Sequence, residues 1–265
     1  RPQKIGSYES LLQTEQFLTD KNLLLFINHI QNIFPTLNIR NIVEENDSLH
    51  NQAEAIRTWL RANQPTVQAI TRLELSHAGL TQIPAEISLF TGLIDLNLNN
   101  NAIKHIPANI FQGLIQLQRL SLSNNRIQVL PLTIFQGLIQ LRHLNLNDNQ
   151  IQALPLTIFQ GLIQLQWLSL SNNRIQVLPL TIFQGLIQLQ MLLLYNNRIQ
   201  ALPPSLFQGL IQLQTLSLSH NRIQVLPPTL FQGLNLLQCL NLFNNPIEGL
   251  NLLLPILRQT INTVY

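Results

Sequence analysis

Residues 165–188 read LQWLSLSNNRIQVLPLTIFQGLIQ, and the phrase recurs on both sides with few changes. Its first half follows the pattern L-x-x-L-x-L-x-x-N-x-[IL]. That pattern begins at Ile70, Leu93, Leu117, Leu141, Leu165, Leu189, Leu213 and Leu237. One interval is 23 residues and the other six are 24. The fourth and sixth positions are Leu in all eight copies, from Leu73 and Leu75 to Leu240 and Leu242. The second half is as regular: Pro107, Pro131, Pro155, Pro179, Pro203 and Pro227 each precede a Phe by four residues, and a Gly follows each Phe by two.

The L-x-L alternation predicts a short strand with one buried face. One copy cannot bury that face alone, but stacked copies build a continuous core. The Asn column, Asn101, Asn125, Asn149, Asn173, Asn197, Asn221 and Asn245, sits where each strand must turn. A buried amide there can donate and accept for the neighbouring loops. The prolines, having no N–H, suit the convex side, and the phenylalanines predict a second apolar spine behind the sheet. The first copy departs: Ala78 replaces the Asn, as expected of a terminal repeat.

This phrase resembles the leucine-rich repeat family in its 24-residue form, over Ile70–Ile247, about two-thirds of the chain. The resemblance implies an α/β solenoid: a right-handed horseshoe with a parallel concave β-sheet, an N-terminal helical cap and a C-terminal helical cap. The expected boundaries are residues 1–66 for the first cap, 67–247 for eight repeats and 248–265 for the second cap. In the first cap, helices are predicted over Leu49–Ala62, capped by Asp47 or Ser48 and stopped by Pro65, and over Asn22–Ile33, with a weaker one over Tyr8–Leu18. A rival reading makes residues 10–45 an F-box-like helix pair, although no Leu-Pro opening precedes them. Leu250–Ile261 has helical spacing and is expected to close the solenoid.

The chain has 265 residues, is 46% hydrophobic and only 10% charged. Leucine alone makes up about a fifth. The composition excludes a disordered chain. Fifteen basic against twelve acidic residues give +3, too thin a charge to argue for nucleic acid. No apolar run is long enough for a membrane span. The opening Arg1-Pro2 is read as a fragment or processed form. One cysteine excludes an intrachain disulfide framework and a multi-cysteine zinc site. No metal or cofactor is expected. Cys239 and His220, the only thiol and the nearest histidine in register, are too far apart along neighbouring strands for a nucleophile–base pair. There is no phosphate-binding loop and no dinucleotide fingerprint. We therefore expect no enzyme within these residues.

Comparing the copies with each other locates the information. The third position reads Arg72, Asp95, Arg119, His143, Trp167, Met191, Thr215 and Cys239: seven residue types between invariant leucines. It points onto the concave face, and variation confined to one exposed column suggests a binding surface. In the sixth copy Leu193 and Tyr195 replace the usual Ser or Asn. With Trp167 and Met191 they predict an exposed apolar patch, which Phe243 continues further on. Asp95 is expected to pair with Arg72 and Arg119. A second ladder, Arg126, Arg174, Arg198 and Arg222, follows the Asn column and is a candidate anion site, set against the alternative of a solvated edge.

Residues 55–84, with Trp59-Leu60 before the first strand and Leu80-Thr81-Gln82-Ile83-Pro84 after it, look like leucine-rich repeat proteins of intracellular bacteria. That resemblance implies a protein–protein interaction module, part of a secreted effector binding a host protein in the host cytoplasm. The alternatives are a bacterial cell-surface adhesin or receptor ectodomain, and the recognition arm of a ubiquitin ligase whose catalytic domain lies elsewhere. The missing cysteine-rich caps favour a bacterial or cytosolic context. A monomer is expected in isolation.

Overall fold

The computed structural model describes residues 5–33, 47–250, 257, 261 and 263–265. Eight three-residue strands carry the eight copies: β1 (Arg72–Glu74), β2 (Asp95–Asn97), β3 (Arg119–Ser121), β4 (His143–Asn145), β5 (Trp167–Ser169), β6 (Met191–Leu193), β7 (Thr215–Ser217) and β8 (Cys239–Asn241). They pair in parallel in sequence order, each with the same repeat position opposite its neighbour. The middle Leu of every strand is buried, and the residues beside it face the concave surface. A ninth strand, β9 (Thr263–Val264), adds to β8 and was not expected from the sequence. The Leu242 N–H donates to the Tyr265 carbonyl at 2.8 Å and the Tyr265 N–H to Leu240 at 3.0 Å.

Behind the sheet, Phe135, Phe159, Phe183, Phe207 and Phe231 stack with centroids 6.1–6.4 Å apart. The glycine two residues after each Phe has φ of 83–90°, a conformation open to Gly and costly for other residues. After each strand the eighth repeat position is left-handed, φ 52–56°, and is filled by Asn, Asp or His. These short polar side chains tolerate that region best among non-glycine residues.

The ninth-position Asn explains why the first copy lacks one. Asn125 Nδ2 donates to Leu98, one copy back, at 2.9 Å and to its own Leu122 at 3.1 Å. Its Oδ1 accepts the N–H of Ile103, again one copy back, at 3.0 Å. Each Asn thus serves the turn before its own, and Ala78 has no earlier repeat to serve. The Leu80 N–H of the first copy is accepted by Asn101 Oδ1 at 3.0 Å.

The N-terminal cap holds α1 (Ile5–Ile33), α2 (Leu49–Ala62) and α3 (Gln64–Gln68). The two helices expected over Tyr8–Leu18 and Asn22–Ile33 are one continuous α1, because nothing between them breaks the backbone. Its second half packs on the repeats through Leu23, Phe26, Ile27 and Ile30, and Phe26 meets Phe90 edge-on at 5.6 Å. Asn22 Oδ1 accepts the N–H groups of Thr81 and Gln82 at 2.8 and 3.1 Å. The α2 bounds agree with expectation, and Ser48 is its cap, Oγ accepting from Asn51 at 3.2 Å. Pro65 does not stop α2; that helix ends at Ala62, and Pro65 sits in the first turn of α3, where its missing N–H costs nothing.

Arg57 ties the cap together. Its guanidinium contacts Asp20 at 2.9 Å, Glu54 at 2.7 Å and Glu86 at 2.8 Å. The F-box-like reading of residues 10–45 and the helix expected over Leu250–Ile261 lie partly outside the described residues. Within the latter, Leu257 is helical and accepts the N–H of Ile261 at 2.9 Å.

Candidate functional site

Zero-shift pairing places the eight third-position side chains in one row across the concave face. Its first half is polar. Asp95 accepts from Arg119 at 3.0 Å and contacts Arg72 at 3.4 Å, the pairing expected from the sequence. Glu74 accepts from Asn97 Nδ2 at 2.9 Å and from the Ser76 N–H at 3.1 Å. Burial alone raises the Glu74 pKa, but these bonds outweigh it and hold the carboxyl below its ordinary range. Arg72, Glu74, Asp95, Asn97 and Arg119, with His143 and Trp167, line a groove of about 350 Å³.

His143 lies half-buried between the two halves, and its Nδ1 is buried without a hydrogen-bond partner among the described residues. Burial lowers its pKa first, and the positive charges of Arg119 and Arg142 lower it further, against a smaller opposing pull from Asp95. These influences favour the neutral imidazole.

The second half is apolar. Trp167 Nε1 donates to Met191 Sδ at 3.0 Å, so indole and thioether form one unit. Leu193 stands opposite Ser169, and Tyr195 follows at the strand's end. All four are half-buried. Thr215 and Cys239, also half-buried, continue the row. Phe243 stands apart: it is 62% exposed, and its ring meets His220 at 5.5 Å. Arg126, Arg174, Arg198 and Arg222 are exposed beyond the strand ends, and Gln150 interrupts their ladder.

One feature of this face escaped the sequence reading. Asn99 Oδ1 accepts both Ser121 Oγ and the Ser123 N–H, each at 2.7 Å. Asn147 does the same for Ser169 and Ser171. The alternation of Asn-x-Asn with Ser-x-Ser in successive copies was the available signal. It fixes these polar side chains in place on the concave face.

Among solved structures, the chain is similar to TLR13 in the TLR13–ssRNA13 complex, at 35% identity and a TM-score of 0.58, covering 61% of this chain and 23% of that one. It is similar to internalin C2 of Listeria monocytogenes at 27% identity and a TM-score of 0.64, covering 76% and 83%. A likeness in fold alone extends to internalin inlF of the same organism, at 21% identity and a TM-score of 0.58, covering 76% of this chain and 62% of that one. The chain thus spans about a quarter of the TLR13 chain and under two-thirds of inlF. No curated protein matches the sequence. The leucine rich repeat model matches in overlapping segments, 68–127, 115–175, 139–199, 163–210 and 187–247. This chain belongs to the leucine-rich repeat family.

Proposed function

We propose that this chain is a protein-recognition module and carries out no chemistry itself. Its concave row binds a partner through Trp167, Met191, Leu193 and Tyr195, and Arg72, Asp95, Arg119, His143, Thr215 and Cys239 set specificity around them. One observation carries the reading: an apolar island in an otherwise polar sheet, flanked by a hydrogen-bonded polar groove. That is the anatomy of an interface, with an aromatic anchor inside a polar rim. Phe243 stands as a separate contact, and the Arg126–Arg222 ladder as a site for acidic groups of the same partner.

The likeness to internalin C2 supports a bacterial protein that meets a host partner, secreted into the host cell or held at the bacterial surface. The test captures partners from host-cell lysate with the chain and with a Trp167→Ala/Tyr195→Ala variant, and measures the captured partner's affinity for both. A partner weakened about 30-fold or more, roughly 2 kcal/mol, supports the reading. Equal capture by both, or capture of RNA alone, overturns it.

A further inference from the structure

In the groove on the polar half of the concave row, the acceptors are occupied and several donors are not. Asp95 faces Arg119 and Arg72, and Glu74 accepts from Asn97 and Ser76. The amide oxygen of Asn97 accepts the Asn99 N–H, that of Asn99 serves Ser121 and Ser123, and that of Asn145 accepts the Asn147 N–H. Arg119, by contrast, gives only its Nε to Asp95, and its terminal nitrogens have no hydrogen bond among the described residues. The Nδ2 groups of Asn99 and Asn145 have none there either. His143 is buried at Nδ1, which leaves Nε2 as the ring nitrogen that meets a ligand, and in the neutral ring Nε2 can carry the proton. Arg119, Asn99, Asn145 and His143 all line the same groove of about 350 Å³.

A groove that offers donors takes an acceptor, and the local field sets the charge of that acceptor. At His143 the positive charges of Arg119 and Arg142 outweigh the opposing pull of Asp95. We propose that the end of the groove over His143, between Arg119 and Trp167, receives an acidic side chain of the protein partner; this rests on the recognition role proposed above and adds the chemistry its partner must carry. Arg119, His143 and Trp167 stand on consecutive strands, about 4.8 Å apart, and the imidazole is the smallest of the three, so the gap lies over it. There the carboxylate takes charge-assisted bonds from Arg119 and a further bond from Nε2 of His143. An extended segment crossing the strands turns alternate side chains to one face every ~6.8 Å, about one and a half strand spacings. An Asp or Glu set over the step from Arg119 to His143 therefore brings the residue two further on over Trp167, which Met191 backs. The partner segment reads acidic-x-apolar. A nucleic-acid backbone fits worse, because it carries a charge at every step and meets Asp95 and Glu74 further along the groove. A single carboxylate at His143 stands three strands, about 14 Å, from Glu74, beyond the screening length at physiological salt.

Titration of the full chain with the peptide acetyl-Ser-Glu-Ser-Leu-Ser-amide tests this, followed by NMR at the His143 ring and the Trp167 indole N–H. Saturable shifts are expected at both, with binding about tenfold weaker when Gln replaces the peptide's Glu and about as much weaker in Arg119→Gln. Lys104→Gln, the same charge change at an exposed site outside the groove, keeps the binding. Should Arg119→Gln not fold by circular dichroism, the Glu and Gln peptides on the unmodified chain decide alone. Equal binding of the two peptides overturns the proposal, as do absent shifts at about 10 mM peptide. Stronger shifts with inorganic phosphate or single-stranded RNA than with the Glu peptide overturn it too. The capture experiment with Trp167→Ala/Tyr195→Ala is read separately, so a failed acidic anchor and a failed recognition module are told apart.

Discussion

Replacing Asn173 by Ala removes one of the amides that join successive turns, and the bonds around it set the cost. Asn173 Nδ2 donates to Leu146, Leu170 and Ser171 at 2.9, 3.0 and 3.1 Å, and Oδ1 accepts from Ile151 at 3.0 Å. Summing four bonds overstates the loss. Leu146 keeps Asn149 as a donor, Leu170 keeps Asn197, and Ser171 keeps the Asp148 N–H. Only the buried Ile151 N–H is stranded. One orphaned donor plus three weakened acceptors costs about 3 kcal/mol. Removing Asn197 as well strands the Leu170 carbonyl, which neither single change does. The adjacent double variant should therefore lose about 1–3 kcal/mol beyond the sum of the singles. An Asn125→Ala/Asn197→Ala pair, which shares no carbonyl, should add within about 0.5 kcal/mol. Urea unfolding followed by circular dichroism measures all of these, with equal m-values as the check on cooperativity. Additivity in the adjacent pair would refute the shared-carbonyl argument.

Arg57→Met leaves the Asp20 carboxylate, 2% exposed, and that of Glu86 facing an apolar stem, and should destabilise the cap by about 3–5 kcal/mol in urea unfolding. In the unmodified chain, burial raises the Asp20 pKa, but bonds from His50, Gln16 and Arg57 outweigh it and hold it below the usual carboxylate value. Its stabilising contribution is thus complete above the ordinary Asp range and lost as pH falls through the lowered value; unchanged melting temperatures from pH 5 to pH 2 would contradict this. Arg119→Ala removes a positive charge beside His143 and frees Asp95, so both effects raise the His143 pKa toward its ordinary value. Proton NMR titration reads that shift, and a fall or no change rejects the assignment.

The repeated half of the fold was legible because one side-chain period wrote it eight times. Leu at positions four and six fixed the strands and their register, and the Phe column fixed the spine. The third-position row was legible because its neighbours do not vary. What escaped reading lacked either period or partner. The first half of α1 leaves Leu12 and Phe17 about half exposed, so no apolar stripe marked it as continuous with the second half. β9 joins through backbone bonds and the burial of Val264, but Thr263-Val264 carries no Leu-x-Leu and no Asn to announce it. The Asn column was visible as a turn device, but its backward reach was not, since spacing does not say which carbonyl an amide will choose. Trp167 and Met191 were expected to be exposed, but both are half-buried, and the indole-to-sulfur bond that makes them one unit depends on rotamers.

The backward reach of each Asn makes the 24-residue unit a cassette. Every copy from the third to the seventh gives the same bonds to the copy before and receives the same from the copy after, so its seams are interchangeable. Adding or deleting one whole unit leaves no unmatched seam, whereas a cut of any other length misaligns the spine. Copy number is then a ruler: each unit moves the Trp167–Tyr195 island one strand along the arc, about 5 Å relative to the helical cap, without redesigning either. A lineage can retune the distance between two contact points by duplicating a length of gene, with no new side chain to invent.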